Sequence, residues 1–125
     1  MKKKILLVNE DPAVRRMIFR VLTGEGHQVI TSDSDAPSLK SALHGDLNLI
    51  VFDADIGENN MSELVRLAGS ENHFPPVIVL TDRADALHKG SLKIIGIMAK
   101  PLDMQALLQM IELAPSAKKA GLAAA

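Results

Sequence analysis

An alternation of short apolar runs with helix-like stretches predicts an α/β domain with a five-stranded parallel sheet, strand order 2-1-3-4-5, and helices on both faces. Three observations predict it. The runs Ile5-Leu6-Leu7-Val8, Leu49-Ile50-Val51-Phe52 and Val77-Ile78-Val79-Leu80 are continuously apolar, the pattern of strands buried on both faces. Each run ends in polar residues: Asn9-Glu10-Asp11, Asp53 and Thr81-Asp82, with Lys100-Pro101 after the run from Ile94 to Ala99. The connections are short and leave room for one helix between strands.

In chain order, the first strand covers residues 4–8. Asp11 is placed to cap the following helix, with Pro12 at its first position, where the missing N–H is not needed. Ala13, Val14, Met17, Ile18, Val21 and Leu22 recur at helical spacing as one apolar stripe, and Gly24 and Gly26 end the helix. Residues 28–31 form a short second strand. Ser34, Asp35, Ala36 and Pro37 open a second helix with a weak apolar face of Leu39, Ala42 and Leu43, closed by Gly45. The central strand covers residues 47–52. A loop follows at 57–60, and Ser62 caps a third helix that runs to about residue 68 and packs through Leu64, Val65 and Leu67. Pro75 and Pro76 set the start of a fourth strand, 77–80. Residues 84–89 form a short helix and 94–98 the fifth strand. Asp103 caps the last helix, with Ala106, Leu107, Met110, Ile111 and Ala114 inward. Residues 1–114 make one domain. Residues 115–125 are small, Lys- and Ala-rich and aperiodic, which predicts a disordered tail or linker stub.

Composition narrows the function. The chain is 47% apolar over 125 residues, enough for one well-filled core. A net charge of −1 lacks the basic excess of a nucleic-acid binder, and with three Phe and no Tyr or Trp there are no stacking platforms for bases. No cysteine is present, so disulfides and thiolate metal sites are excluded; a reducing cytoplasm fits. No apolar run approaches the ~20 residues of a membrane span, and the four-residue run after Lys2-Lys3-Lys4 is too short for a signal peptide. His27, His44, His73 and His88 show no ligand spacing and are expected at the surface or in loops.

With order 2-1-3-4-5, the topological switch point lies between strands one and three, where open parallel sheets place their ligands. Asn9, Glu10 and Asp11 then face Asp53 across that crevice, and Thr81 and Lys100 flank Asp53 on its other side. A carboxylate can be the nucleophile toward a phosphoryl group. Neighbouring carboxylates can hold the divalent cation that offsets charge between two anionic partners. A lysine and a hydroxyl can each hold a phosphoryl oxygen. Any one of these residues is more often a cap or a solvated charge. Glu10, Asp53, Thr81 and Lys100 together, each after a different strand, form a specific set.

From about residue 3 to residue 113 the chain resembles the receiver (CheY-like) domain of two-component response regulators. The resemblance is carried by Ile5-Leu6-Leu7-Val8-Asn9-Glu10-Asp11-Pro12 with Arg15, by Leu49-Ile50-Val51-Phe52-Asp53, by Val77-Ile78-Val79-Leu80-Thr81 and by Ala99-Lys100-Pro101-Leu102-Asp103. It implies that Asp53 accepts a phosphoryl group from a histidine kinase or a histidine phosphotransfer protein. Mg2+ would be held by Glu10, Asp53, the backbone carbonyl of Asp55 and Asn9, the last directly or through water. Thr81 and Lys100 would contact the phosphoryl group, and Ile97 would occupy the switch position. It also implies a cis Lys100-Pro101 bond. The domain would be a signalling acceptor, not an enzyme beyond its own phosphorylation and dephosphorylation. Its output partner or domain is not legible, and a homodimer through the last helix is open.

Several residues depart from the family pattern. Asn9 stands where an acid is usual. Removing one carboxylate ~5 Å from a dication forfeits about 7 kcal/mol of gross Coulomb energy at an effective dielectric of ~20. Desolvation, bridging water and nearby Asp11 offset most of this, so weaker Mg2+ binding is expected. Gly57 and Met61 replace the usual proline and glycine, Ile97 replaces an aromatic residue, and the segment between Thr81 and Lys100 is shorter than usual. These changes leave a rival reading, a phosphorylation-independent receiver that acts as an interaction module. Asp55 and Arg83 are expected to tune phosphate lifetime by pairing across the mouth, with two solvated loop charges as the alternative. Phe52-Asp53-Ala54-Asp55 also permits a haloacid-dehalogenase-type phosphatase, but no late acidic pair on a strand and no cap domain accompany it.

Overall fold

The computed structural model describes residues 2–32, 36–43, 46–54, 60–69, 74–82 and 93–115. Five parallel strands, β1 (Lys4–Val8), β2 (Gln28–Ser32), β3 (Leu49–Asp53), β4 (Val77–Thr81) and β5 (Ile94–Ala99), form one sheet in the order β2-β1-β3-β4-β5. Among the described residues the helices are α1 (Pro12–Gly24), α2 (Ala36–Ala42), α3 (Asn60–Gly69) and α4 (Met104–Leu113). None is long and apolar enough to cross a membrane. The expected helix at 84–89 and the expected tail beyond residue 115 lie outside the described residues.

Strand alternation divides the core into two layers. Ile5, Leu7, Leu49, Val51, Ile78, Leu80 and Met98 pack with Ile18 and Leu22 of α1 and Leu107 and Ile111 of α4. Leu6, Val8, Ile50, Phe52, Val77 and Val79 pack on the other face with Leu39 of α2 and Leu64 and Leu67 of α3. Every residue of β3 and β4 is buried, which is why those runs are continuously apolar.

Strand ends differ from expectation by one or two residues and helix ends by up to three. β2, β4 and β5 each run one residue further, and β3 starts at Leu49 and takes in Asp53. A ladder partner decides each end: Asp53 pairs with Leu80 and Thr81 with Ala99. α3 begins at Asn60, so Ser62 lies inside it and is not its cap. Asn and Ser both suit a helix start, and composition alone does not choose between them.

The stripe of α1 is narrower than its spacing suggests. Ile18 and Leu22 are buried and Val14 and Val21 half-buried, but Ala13 and Met17 are exposed. The helix meets the sheet and α4 along a thin seam, so flanking apolar positions stay in water. Its ends are as expected. The Asp11 carboxylate accepts from the N–H groups of Ala13 and Val14, and Gly26 follows the helix at φ +92°, a left-handed conformation that favours glycine.

At the N-terminal edge of the sheet, side chains tie β1 to both neighbours. The Lys3 N–H donates to His27 Nδ1 at 3.0 Å, and the Gln28 N–H donates to the Lys3 carbonyl at 2.9 Å. On the other side, the Lys4 N–H donates to Asn48 Oδ1 at 2.8 Å and the Asn48 N–H to the Lys4 carbonyl at 2.8 Å. His27 lies in the loop between α1 and β2, one of the two settings expected of it, but it is buried there and not at the surface. Since Nδ1 accepts, the neutral ring carries its proton on Nε2. Burial pushes the His27 pKa below its ordinary value, with Lys3 and the N-terminus adding to the shift and Glu112 and Glu25 opposing it.

Two outcomes follow for stability. The unfolded chain protonates His27 more readily than the native one. Its contribution is thus fully present above the unfolded histidine pKa, about 6.5, and falls as the pH drops below it. Melting curves from pH 7.5 to 5.5 should show this loss, and His27→Asn, which keeps an acceptor for Lys3, should flatten it. A Cβ at Gly96 would meet Met110 Sδ at 2.6 Å. Sδ lies near the end of a flexible, half-buried side chain that can swing aside, so Gly96→Ala should change unfolding free energy by less than about 1 kcal/mol in urea titration.

Candidate functional site

The carboxyl ends of β1, β3, β4 and β5 form one rim. Asp53 is the last residue of β3 and is 4% exposed. Such a charge needs a partner. Lys100 Nζ supplies it, donating to Oδ1 at 2.9 Å and to Oδ2 at 3.0 Å. Lys100 directly follows β5, and its side chain is 26% exposed, so the ammonium reaches inward from the rim. The Lys100-Pro101 bond is cis, as expected. Thr81 closes β4, also buried.

The β1–α1 turn is braced from within. Val8 pairs with Phe52, which sets Asn9 beside Asp53 at the strand ends. Asn9 is buried, and its Oδ1 accepts from the Asp11 N–H at 2.9 Å. The oxygen expected to serve a cation thus also holds the turn, and that bond uses one of its two lone pairs. Arg15 Nη1 donates to the Asn9 carbonyl at 3.1 Å. The sequence motif includes Arg15 but assigns it no role. A basic residue one turn after Asp-Pro, long enough to fold back on the strand end, was the available signal. Glu10 lies exposed at the rim.

Ile97 neighbours Val79 in the sheet and packs on the layer of α2 and α3. By alternation that is also the side of Thr81, whereas Asp53 and Asn9 continue the α1/α4 side. Asp55, Arg83 and Gly57 lie outside the described residues, and no side-chain placement is described for Met61. Of the four histidines only His27 is described, at the opposite edge of the sheet.

The rim thus presents a buried carboxylate with both oxygens held by one lysine, a hydroxyl-bearing residue two strand ends from a carboxamide, and an exposed carboxylate at its lip. The oxygens of Asp53 and Glu10 are hard donors of the kind Mg2+ takes. An ammonium on the same carboxylate can also follow negative charge transferred to it.

Comparison with known proteins identifies the family and the fold. The response regulator receiver domain model matches residues 5–112. The chain is 29% identical over 111 residues to the transcriptional regulatory protein GlrR of Escherichia coli K12, covering 86% of this chain and 25% of that one. It is 28% identical over 116 residues to the regulatory protein VirG of Agrobacterium tumefaciens, covering 90% and 43%. The chain spans less than half the length of either curated relative. Among solved structures, the chemotaxis response regulator CheY4 of Vibrio cholerae superposes with a TM-score of 0.74 at 20% identity, over 90% of this chain and 98% of that one. The receiver domain of sensor histidine kinase PA1611 from Pseudomonas aeruginosa, described with a magnesium ion coordinated in its active site cleft, gives 0.73 at 21% identity, over 91% and 98%. These two likenesses show the fold.

Breaking the ion pair should leave Asp53 buried without its cation. Lys100→Met is expected to lower unfolding free energy by on the order of 3 kcal/mol near neutral pH. Adding Asp53→Ala to that variant should restore part of the loss in denaturant titration, because the stranded charge is then gone as well.

Proposed function

The chain belongs to the response regulator receiver domain family, and from that premise we propose that it takes a phosphoryl group on Asp53 and signals through protein contacts. The donor would be a phosphohistidine of a histidine kinase or histidine phosphotransfer protein. The observation that carries this reading is the buried Asp53 carboxylate held through both oxygens by Lys100 at the switch point of the sheet.

In the transfer, an Asp53 carboxylate oxygen bonds to phosphorus as the donor's N–P bond breaks. The imidazole nitrogen leaves with the bonding pair and takes a proton from solvent. Negative charge then lies further out, on phosphoryl oxygens. Lys100 follows it from the rim, and Thr81 supplies a hydroxyl for a second oxygen. Little covalent work is asked of the domain; positioning and electrostatics carry the step. Glu10, Asp53 and the carbonyl of Asp55 would hold Mg2+. When bound, the ion offsets the repulsion between carboxylate and phosphoryl group. Asp55 and Arg83 are proposed to pair across the mouth and slow hydrolysis. The setting is the cytoplasm.

One observation favours a second reading, a phosphorylation-independent interaction module: the residue beside Asp53 on β1 is the uncharged Asn9, not an acid. Intact mass after incubation with acetyl phosphate and Mg2+ separates the two. A single phosphoryl adduct on the wild type, absent from Asp53→Ala, is expected; no adduct on either would leave the interaction module. Once the adduct forms, Arg83→Ala should shorten its half-life several-fold, and an unchanged half-life would sink the Asp55–Arg83 pairing.

A further inference from the structure

Asn9 carries a feature that the proposed phosphoacceptor role leaves unused. Its residue is 1% exposed, yet among the described residues Nδ2 has no hydrogen-bond partner. A buried, unsatisfied amide donor costs about 1–3 kcal/mol and calls for an occupant. The orientation of the carboxamide is not arbitrary. Oδ1 accepts from the Asp11 N–H, so the other branch must be the NH2 group. Arg15 on the Asn9 carbonyl further holds the turn in place.

The location of the orphaned donor is set by the sheet. Ile5 and Leu7 of β1 pack in the α1/α4 layer with Leu49 and Val51 of β3. Two residues on, alternation brings Asn9 and Asp53 to that same side, and the Val8–Phe52 pairing makes them lateral neighbours. An amide N–H has no lone pair for a cation. Water bound to a dication turns its hydrogens outward, so it offers this donor little either. A negatively charged oxygen suits it, and N–H to anionic oxygen is roughly twice as strong as a neutral pair. Both oxygens of Asp53 are already held by Lys100.

Resting on the reading of Asp53 as phosphoacceptor, we infer that Asn9 is a phosphoryl-contacting residue whose Nδ2–H group donates to an oxygen of the group carried by Asp53, on the side opposite Thr81. An acid at this position would serve the cation. The carboxamide serves the anion instead, so the pocket gives up affinity for Mg2+ and gains a direct hold on the phosphoryl group.

The test uses beryllofluoride, which caps a carboxylate as a phosphoryl mimic. In amide NMR of the full chain, the Asn9 side-chain NH2 signal, identified by its loss in Asn9→Asp, should move downfield when the mimic is added with Mg2+. Mg2+ alone should not give an equal shift. Asn9→Ala should bind the mimic about tenfold more weakly at saturating Mg2+, the loss of one hydrogen bond to a charged group. Asn9→Asp should bind Mg2+ more tightly. An Asn9 signal unmoved by the mimic, or moved as far by Mg2+ alone, overturns the inference, as does an alanine variant with unchanged mimic affinity. The two readings fail separately. A phosphoryl adduct from acetyl phosphate with a silent Asn9 leaves the acceptor and removes this role. A responding Asn9 with no adduct leaves an anion site and removes the acceptor.

Discussion

The structure depends on a strand that can hold no charge along its length. β3 is sealed on both faces from Leu49 to Phe52, and a carboxylate is tolerable only at its exit. Even there Asp53 is buried, so a cation must come to it. β5 lies two places away in the sheet, about 10 Å at parallel strand spacing. A side chain as long as lysine, released at the first residue beyond β5, is what crosses the end of β4 to reach both oxygens. The strand order and the residue type are thus one solution to one electrostatic problem.

Much of this was legible in the sequence. Continuous apolar runs gave away the buried strands, and the order of the sheet brought Asn9, Asp53, Thr81 and Lys100 to a single rim. What escaped was set by partners that a linear pattern does not contain. Strand ends moved by a residue or two because a neighbour's ladder extended them, as Leu80 does for Asp53. Helical spacing grouped Ala13 and Met17 with Ile18, but the width of the contact seam decided which of them left water. His27 has no apolar signature, and its burial goes with a bond to a backbone N–H 24 residues earlier, just before the neighbouring strand. The hold of Arg15 on Asn9 likewise exists only once the turn has closed.

The two layers of the core divide the rim between them. Asn9 and Asp53 continue the side covered by α1 and α4, and Thr81 the side where Ile97 packs. A hydroxyl drawn toward Asp53 would be drawn across the sheet edge, away from the layer containing Ile97. Ile97 is β-branched and aliphatic, with few rotamers and no polar tip to follow such a movement. Any response in that layer would be a matter of packing volume, not of an exchanged hydrogen bond.

The opposite edge of the sheet carries a different kind of chemistry. There β1 is pinned on one side through His27 and on the other through Asn48, by side chains that bond to backbone and not to each other. A parallel strand that slid by two residues would keep its apolar faces matched, so hydrophobic burial by itself does not forbid the slip. The pins do, because each fits one backbone group. Alignment at the carboxyl-end rim is therefore secured about five residues away, out of reach of whatever is substituted there. Lineages carrying this fold could exchange an acid for an amide at the position of Asn9 and retune the pocket while the strands stayed in step.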